Sequence, residues 1–468
     1  MKKILLLILL VPTLLFSQSY DWYSLYPKIY GENSGDHFGI DVSINNDGTI
    51  ISVASEINDD GGYESGSGRV YQNISGTWTQ IGQDIDGNGV EDFCKSTAIS
   101  SDGSIVAYGA PYHDCAGWGN YDCGQVRIFE NISGTWTQIG SAIEGTGGAD
   151  KYGTGVSLSS DGSIVAVAAQ SYNNIGRVVL YENISGTWTQ IGSPIEGDNF
   201  QDGFGTAISL NSSGNIVAIG APQTEDSGNP SLFPAGYVRV FENVLGAWTQ
   251  IGSTLNGEGA GDRFGGRDGV SLDSTGNVLA VGGNRNDGNG SNAGHVRVFE
   301  NISGTWSQLG QDVDGEATND YMGWNVDLNN DGNIFSVRGL DYGSGNNGKI
   351  RVYENISGSW TKLGSDIDSD LKQGGVDIDG EGTTIIYGVE FGGNNEEGYA
   401  NIVEYLPTST VGCTNSLACN YSPTATIDDA SCFFGNCVTN ITQNTFSTLI
   451  QTAIDSSING DTIIVSPG

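Results

Sequence analysis

The residues of this sequence whose types could do chemistry are few: three histidines, seven cysteines and several runs of alternating carboxylates. His37, His113 and His295 lie far apart and share no surrounding motif, so their spacing reads neither as an imidazole metal cluster nor as a histidine-based catalytic set. No Ser–His–Asp set, no His-Glu-x-x-His and no Gly-x-x-x-x-Gly-Lys-[Ser/Thr] loop can be picked out. The carboxylates are more suggestive. Asp84-Ile-Asp86-Gly-Asn88 runs on to Glu91 and Asp92, Asp312-Val-Asp314-Gly-Glu316 leads to Asp320, and Asp366-Ile-Asp368-Ser-Asp370 is similar. Alternation lets oxygen side chains converge on one hard cation. Asp84, Asp86, Asn88, Asp92, Asp312, Asp314, Glu316 and Asp320 are therefore the candidate calcium ligands. The plainer alternative is an acidic strand end followed by a solvated turn. No cofactor other than calcium is implied.

Among the cysteines, Cys115 and Cys123 bracket one short loop and can staple it. Cys413, Cys419, Cys432 and Cys437 cluster near the C-terminus, where four thiols allow two disulfides in three pairings. Cys94 is the odd one and reads as a small buried hydrophobe.

The elements that must carry these residues repeat. Trp recurs at 22, 78, 136, 188, 248, 306 and 360, a mean period of 56 residues. Asn131-Ile-Ser-Gly-Thr-Trp136-Thr-Gln-Ile-Gly returns, nearly unchanged, from Asn73, Asn183, Asn243, Asn301 and Asn355. Each unit holds four strand signals. In the unit from Asp150 these are Tyr152-Gly-Thr-Gly-Val-Ser-Leu-Ser, the apolar run Ser163-Ile-Val-Ala-Val-Ala-Ala, Gly176-Arg-Val-Val-Leu-Tyr, and Trp188-Thr-Gln-Ile-Gly-Ser-Pro-Ile. An Asp-Gly turn joins the first two and Asn-Ile-Ser-Gly the last two. Four-stranded antiparallel units repeated radially are propeller blades. First strands begin near Phe38, Phe93, Tyr152, Phe204, Phe264, Met322 and Gly374, which makes seven. The last unit lacks a fourth strand and Trp22 precedes any first strand, so the N-terminal strand is expected to complete the last blade. The fold class is all-β: a seven-bladed β-propeller over residues 20–407, closed by the N-terminal strand.

Asp-x-[Phe/Tyr]-Gly stands at Asp36–Gly39, Asp150–Gly153, Asp202–Gly205 and Asp262–Gly265, with Asp320-Tyr-Met-Gly323 as a variant. Gly109-Ala-Pro111 and Gly220-Ala-Pro222 end two second strands. This resembles the FG-GAP repeat, the blade type of the integrin alpha-chain propeller and of many bacterial surface proteins. Unit two departs at Glu91-Asp-Phe-Cys94, and unit seven lacks the motif. The family's calcium loop between the first two strands is cut here to turns such as Asn46-Asp-Gly48, Ser101-Asp-Gly103 and Ser160-Asp-Gly162, so its metal sites do not carry over. A residue repeated in five units is structural rather than catalytic, so the motif Asp is expected to cap backbone N–H groups. Arg69, Arg127, Arg239, Arg297 and Arg351 share one slot of the third strand and read as blade-internal charge partners. The Trp read as blade core.

Composition sets the outer limits. Eighteen Lys and Arg against 55 Asp and Glu give a net charge of −37, which argues against nucleic acid and anionic membranes as partners. Seventy-two Gly make long helices poor candidates. Lys2 and Lys3, an apolar run from Ile4 to Phe16 and the small residues Ser17 and Ser19 lay out a secretory signal peptide over residues 1–19, with no other segment apolar enough to cross a membrane. The protein is expected to be exported, at the cell surface or outside a bacterium. Residues 408–437 resemble a Cys-rich module of secreted surface proteins. Residues 438–468, with Phe446, Leu449, Ile450, Ala453 and Ile454 at helical spacing and a strand from Gly460, resemble the cap and first strand of a pectin-lyase-like parallel β-helix, as if the chain were a piece of a longer protein.

The functional expectation is a non-enzymatic, exported propeller, monomeric within a longer chain, that binds a protein or glycan ligand on a surface. Alternatives are an accessory domain of a polysaccharide-degrading enzyme whose catalytic β-helix lies beyond residue 468, and a structural spacer. Binding is assigned to the face of the connections from second to third strand and from blade to blade, whose loops at 58–68, 112–124, 223–236 and 284–294 vary while the opposite turns repeat.

Overall fold

In a computed structural model, residues 19–116, 121–223, 235–340, 347–370, 374–393 and 395–408 are described, with separate positions between 411 and 465. The signal segment over residues 1–18 and Trp118 lie outside them. Contacts divide the chain into one unit of residues 24–404 and another of the two terminal stretches.

Seven antiparallel sheets form the propeller. The first strands are Phe38–Ile44, Ser96–Ile99, Val156–Leu158, Ala207–Leu210, Val270–Leu272, Asn325–Leu328 and Val376–Ile378. Second strands such as Ile216–Ala221 are buried at every residue, as their unbroken apolar runs require. The fourth strand is broken rather than single. In blade one Thr77–Gln80 and then Ile85–Asp86 both pair with Ser67–Ile74, with Gly82 at φ 76° between them. The alternation of Asp84, Ile85 and Asp86 is thus the two-residue period of a strand end, whose apolar member turns inward. The seventh blade is completed from the N-terminus: Tyr20–Tyr23 lies at the edge of its sheet, and Ile29 and Tyr30 pair with Ala400 and Tyr399.

The repeated letters have physical reasons. Phe38, Phe204 and Phe264 of the motif are fully buried between blades, and Tyr152 and Met322 fill the same place. Gly39, Gly153, Gly265 and Gly323 each lie against a glycine in the second strand of the preceding blade, whereas Gly205 lies against Ala168. A Cβ on Gly220 would sit 2.0 Å from Gly265 O, and one on Gly388 would sit 2.0 Å from Gly39 O. At those four junctions the two backbones approach too closely for a Cβ on the second-strand glycine, while the junction at Gly205 is wide enough for Ala168. The motif aspartates cap as expected: Asp36 accepts from Glu32 N and Asn33 N, Asp202 from Asp198 N and Asn199 N, and Asp320 from Glu316 N and Ala317 N. The Trp do more than fill blades. Nε1 of Trp136, Trp188, Trp248, Trp306 and Trp360 each donates to a carbonyl of the preceding blade, at Ile81, Ile139, Ile191, Ile251 and Leu309.

Where the first strands end, a cyclic set of backbone hydrogen bonds closes the inner ring. Asn46 N donates to Ser101 O, Ser101 to Ser160, Ser160 to Ser212, Ser212 to Ser274, Ser274 to Asn330, Asn330 to Gly380, and Gly380 back to Asn46, all between 2.8 and 3.1 Å.

In the second unit, Val411–Gly412 pairs parallel with Ile427–Asp428, and Cys413 is bonded to Cys432. Cys419 and Cys437 lie outside the described residues. Val438–Asn440 pairs antiparallel with Thr445–Ser447 and with Ile463–Val465. Phe446, expected to open a helix, is in a strand, and residues 448–462 lie outside the described residues. The parallel coil expected of a β-helix is not shown among the described residues. No helix among the described residues is long and apolar enough to cross a membrane.

A cation-lined cavity at the channel mouth

The inner strands wall a central channel. At its end on the face of the variable connections it opens into a cavity of about 580 Å³ lined by all seven blades. Two slots of the repeat supply much of its lining. One is the x of Asp-x-[Phe/Tyr]-Gly, filled by Lys151, Gly203 and Arg263 at this cavity, and by His37 beside it. All four hold φ between 54 and 62°, a left-handed turn that lets the fixed residues on either side point into the blade. The other is the residue just after the second strand, filled by Glu56, Pro111, Gln170, Pro222, Asn284 and Glu390.

Blade two shows how the register works. Asp92 holds the capping place, buried and bonded to His113 Nδ1 at 3.0 Å. Phe93 is therefore the x, with φ 54°, Cys94 fills the aromatic place as a buried free thiol, and Lys95 stands where other blades have Gly. The motif there is Asp92–Lys95, one residue later than the sequence comparison placed it.

Four cations reach this cavity: Lys95, Lys151, Arg263 and Arg267. In a chain with 18 Lys and Arg and a net charge of −37, they offset the four acids of the same lining, Asp41, Glu56, Asp268 and Glu390, so the cavity is locally balanced in a strongly acidic molecule. Aromatic rings hold three of them. Lys151 Nζ lies 4.4 Å from the Tyr112 ring centre and Lys95 Nζ 5.5 Å from it, while the Arg267 guanidinium lies 4.3 Å over Trp324.

Beside them is an acid–base cluster drawn from three blades. His37 Nδ1 is 3.4 Å from Glu56 Oε2 and 3.5 Å from Glu390 Oε1, and Lys95 Nζ is 2.9 Å from Glu56 Oε1. Burial, and then repulsion from Glu56, push the Glu390 carboxyl up to about 7. Burial pushes Glu56 up too, but His37 and Lys95 outweigh it and hold that carboxyl below its usual range. Two neighbouring carboxyls are thus split, one ionised and one poised to exchange a proton near neutrality. His37, Glu56 and Glu390 also have ligand atoms close enough to share a divalent ion, though Lys95 already supplies a positive charge there. Deeper in the channel, burial and repulsion from Asp268 raise Asp41 to about 8.

The sequence-predicted residues are placed elsewhere. Asp84 accepts from Arg69 Nε at 3.0 Å, and Arg127 donates to the backbone of Asp86. Asn88 and Asp92 both accept from Gln125. Arg297 Nε lies 3.8 Å from Asp312, next to Asp314, which burial and Asp312 push upward. Arg351 binds Glu316 at 3.2 Å and Asp320 at 3.5 Å. Four of the eight, Asp84, Asp312, Glu316 and Asp320, face the repeated arginines, and Asp92 and Asp320 are buried. The expected Cys115–Cys123 disulfide is present.

No protein-family model and no curated protein matches the chain. Solved structures match in fold. A protein assigned as a 6-phosphogluconolactonase of Bacteroides uniformis superposes with a TM-score of 0.50 at 14% identity, over 71% of this chain and 86% of its own. Hydrazine synthase of Kuenenia stuttgartiensis gives 0.53 at 10%, over 81% and 97%. The periplasmic gluconolactonase of Pseudomonas aeruginosa gives 0.47 at 17%, over 71% and 85%. At such identities the likeness is one of fold. It still corrects the expectation of a non-enzymatic surface-binding propeller, since a lactonase name stands among the neighbours. The lack of a motif for catalysis excluded less than it was taken to exclude.

Proposed function

We propose that the channel mouth is the active site of a hydrolase acting on a small, polyhydroxylated anion, of the class of a sugar-acid lactone. The observation that carries this reading is the convergence of Lys95, Lys151, Arg263 and Arg267 on one cavity of an otherwise acidic molecule, next to Glu390 with its carboxyl near 7. The cations select a carboxylate or phosphate, and Gln170, Gln201 and Asn174 offer hydrogen bonds to hydroxyls. The lactonase name of the Bacteroides neighbour supplies the reaction type.

In this reading Glu390, ionised, takes a proton from water as the oxygen attacks the lactone carbonyl. Lys95 balances the charge on the tetrahedral oxygen. The ring C–O bond then breaks, and the proton passes from Glu390 to the departing alkoxide, giving the open hydroxy acid. His37 positions Glu56 and Glu390. The charged and apolar N-terminal layout and the Cys115–Cys123 bond support an exported protein. The pairing of Phe-Gly with Gly-Ala between blades supports the FG-GAP resemblance.

The test is ring opening by the full chain, followed by proton release, on 6-phosphogluconolactone and on unphosphorylated gluconolactone. Faster turnover of the phosphorylated lactone supports the reading. No rate above the uncatalysed background on either defeats it.

A further inference from the structure

Several buried polar atoms outside the channel mouth, Ser67 Oγ among them, have no hydrogen-bond partner, and on His295 both ring nitrogens are in that state. At the place of the third strand that pairs with the last residue of the second, the blades carry Ser67, Gln125, Arg177, Tyr237, His295, Lys349 and Tyr399. Tyr237 donates to Asp202, Gln125 to Asp92, Arg177 to Thr146, Lys349 to Asp368 and Tyr399 to Asp370. His295 is fully buried, yet neither of its ring nitrogens has a hydrogen-bond partner. Its ligand atoms and those of Glu258 and Asp312 lie within 4.8 Å of one another.

Blade five differs from its neighbours in what its arginine does. In blade one, Arg69 fills the corresponding acidic box of Glu32, Asp60 and Asp84, at 2.7 Å from Glu32 and 3.0 Å from Asp84. Arg297 instead turns to Gln308 Oε1, at 3.0 and 3.2 Å, and stays 3.9 Å from Glu258 and 3.8 Å from Asp312. Asp262, also near, is taken by Glu258 N, Gly259 N and Asn286. A neutral imidazole keeps a lone pair on one ring nitrogen, which a metal ion can take.

We propose that His295, Glu258 and Asp312 form a zinc site at the rim of blade five. One imidazole nitrogen and two carboxylates suit a borderline divalent ion better than calcium, which takes oxygen. Tetrahedral bonds of about 2.1 Å put ligand atoms roughly 3.4 Å apart, so the side chains close in by about an ångström. Glu258 and Asp312 face solvent and give the ion its entry. Glu258 follows the last strand of blade four and Asp312 sits in the break of the fourth strand of blade five, between Thr305–Gln308 and Val313–Asp314, so the ion ties both to the third strand of blade five. Arg297 is the competing cation, and Gln308 Nε2, which donates to Asp312 Oδ1, gives way or shares that carboxylate when zinc binds.

The experiment uses the untagged full chain, stripped with EDTA and titrated with Zn²⁺, with Co²⁺ as a coloured probe. One site per chain is expected, with a visible cobalt band. H295Q and D312N should each weaken zinc binding roughly tenfold or more, while H37Q leaves it unchanged. If H295Q does not fold, D312N, on a solvent-facing side chain, decides. Absence of stoichiometric uptake, affinity unchanged in D312N, or loss in H37Q instead overturns the proposal.

Discussion

A repeat sets a trap at the level of single residues. Residues found in every blade are structural, and Asp36, Asp202 and Asp320 are indeed caps. The side chains of the proposed site stand in the letter the motif leaves free: His37, Lys151 and Arg263 occupy x, and Lys95 stands in a glycine place. That signal was present in the sequence as scarce imidazole and cations inside a repeated frame, but discounting the motif as a whole hid it. Glu390 was illegible, because it meets His37 only when blade seven closes against blade one, and Glu56 because it meets His37 only across the paired first and second strands of blade one. Asp41 offers a test of the channel electrostatics. Its folded pKa of about 8 lies above its ordinary value of 3.8, so the stability it contributes is fully present below about 3.8 and is lost as pH rises through 8. D41N, which cannot ionise, should therefore gain on wild type as pH rises, by about 1–3 kcal/mol at pH 8.5, and differ little near pH 4. Denaturant melts at the two pH values check this; equal stability at pH 8.5 would mean that the carboxyl is ionised without cost.

Among the elements, strand order and turns were readable because hydrophobic period, Asp-Gly and Asn-Ile-Ser-Gly mark them locally. The break in the fourth strand was not, since Gly82 reads equally as a turn or a strand residue. Contacts between blades were hidden too. Gly220 was part of a recognised string, but its reason, the carbonyl of Gly265 in the next blade, is 45 residues away in sequence. G220A should cost about 2–4 kcal/mol, as overpacking against backbone cannot be relieved by a rotamer. Arg338 is a second such element. Fully buried in the second strand of blade six, it donates to Gly374 O and Gly388 O at 2.8 Å each. R338M should lose about 2–5 kcal/mol, because both carbonyls are left without this donor. A Tm within a degree of wild type for either variant would contradict the packing described.

For the whole molecule, closure has two independent parts. The inner ring of seven backbone hydrogen bonds needs no N-terminal segment, whereas the outer edge of blade seven does. Deleting residues 19–31 should leave the inner ring able to form but strip Ser24, Tyr26 and Ile29 from Asn401, Glu404 and Ala400. Aggregation, or a Tm lower by roughly 5–10 °C, is expected. An unchanged melt would assign closure to the inner ring alone. Fold class and blade number were legible in the sequence; the cavity was not, because it is assembled one residue per blade around a ring. Its function is decided by the pH dependence of kcat/KM for opening of 6-phosphogluconolactone by the full chain. The site described here predicts a rise through a pKa near 7 that disappears in E390Q, with the rate falling at least ~100-fold. A rate and pH profile unchanged in E390Q would contradict it.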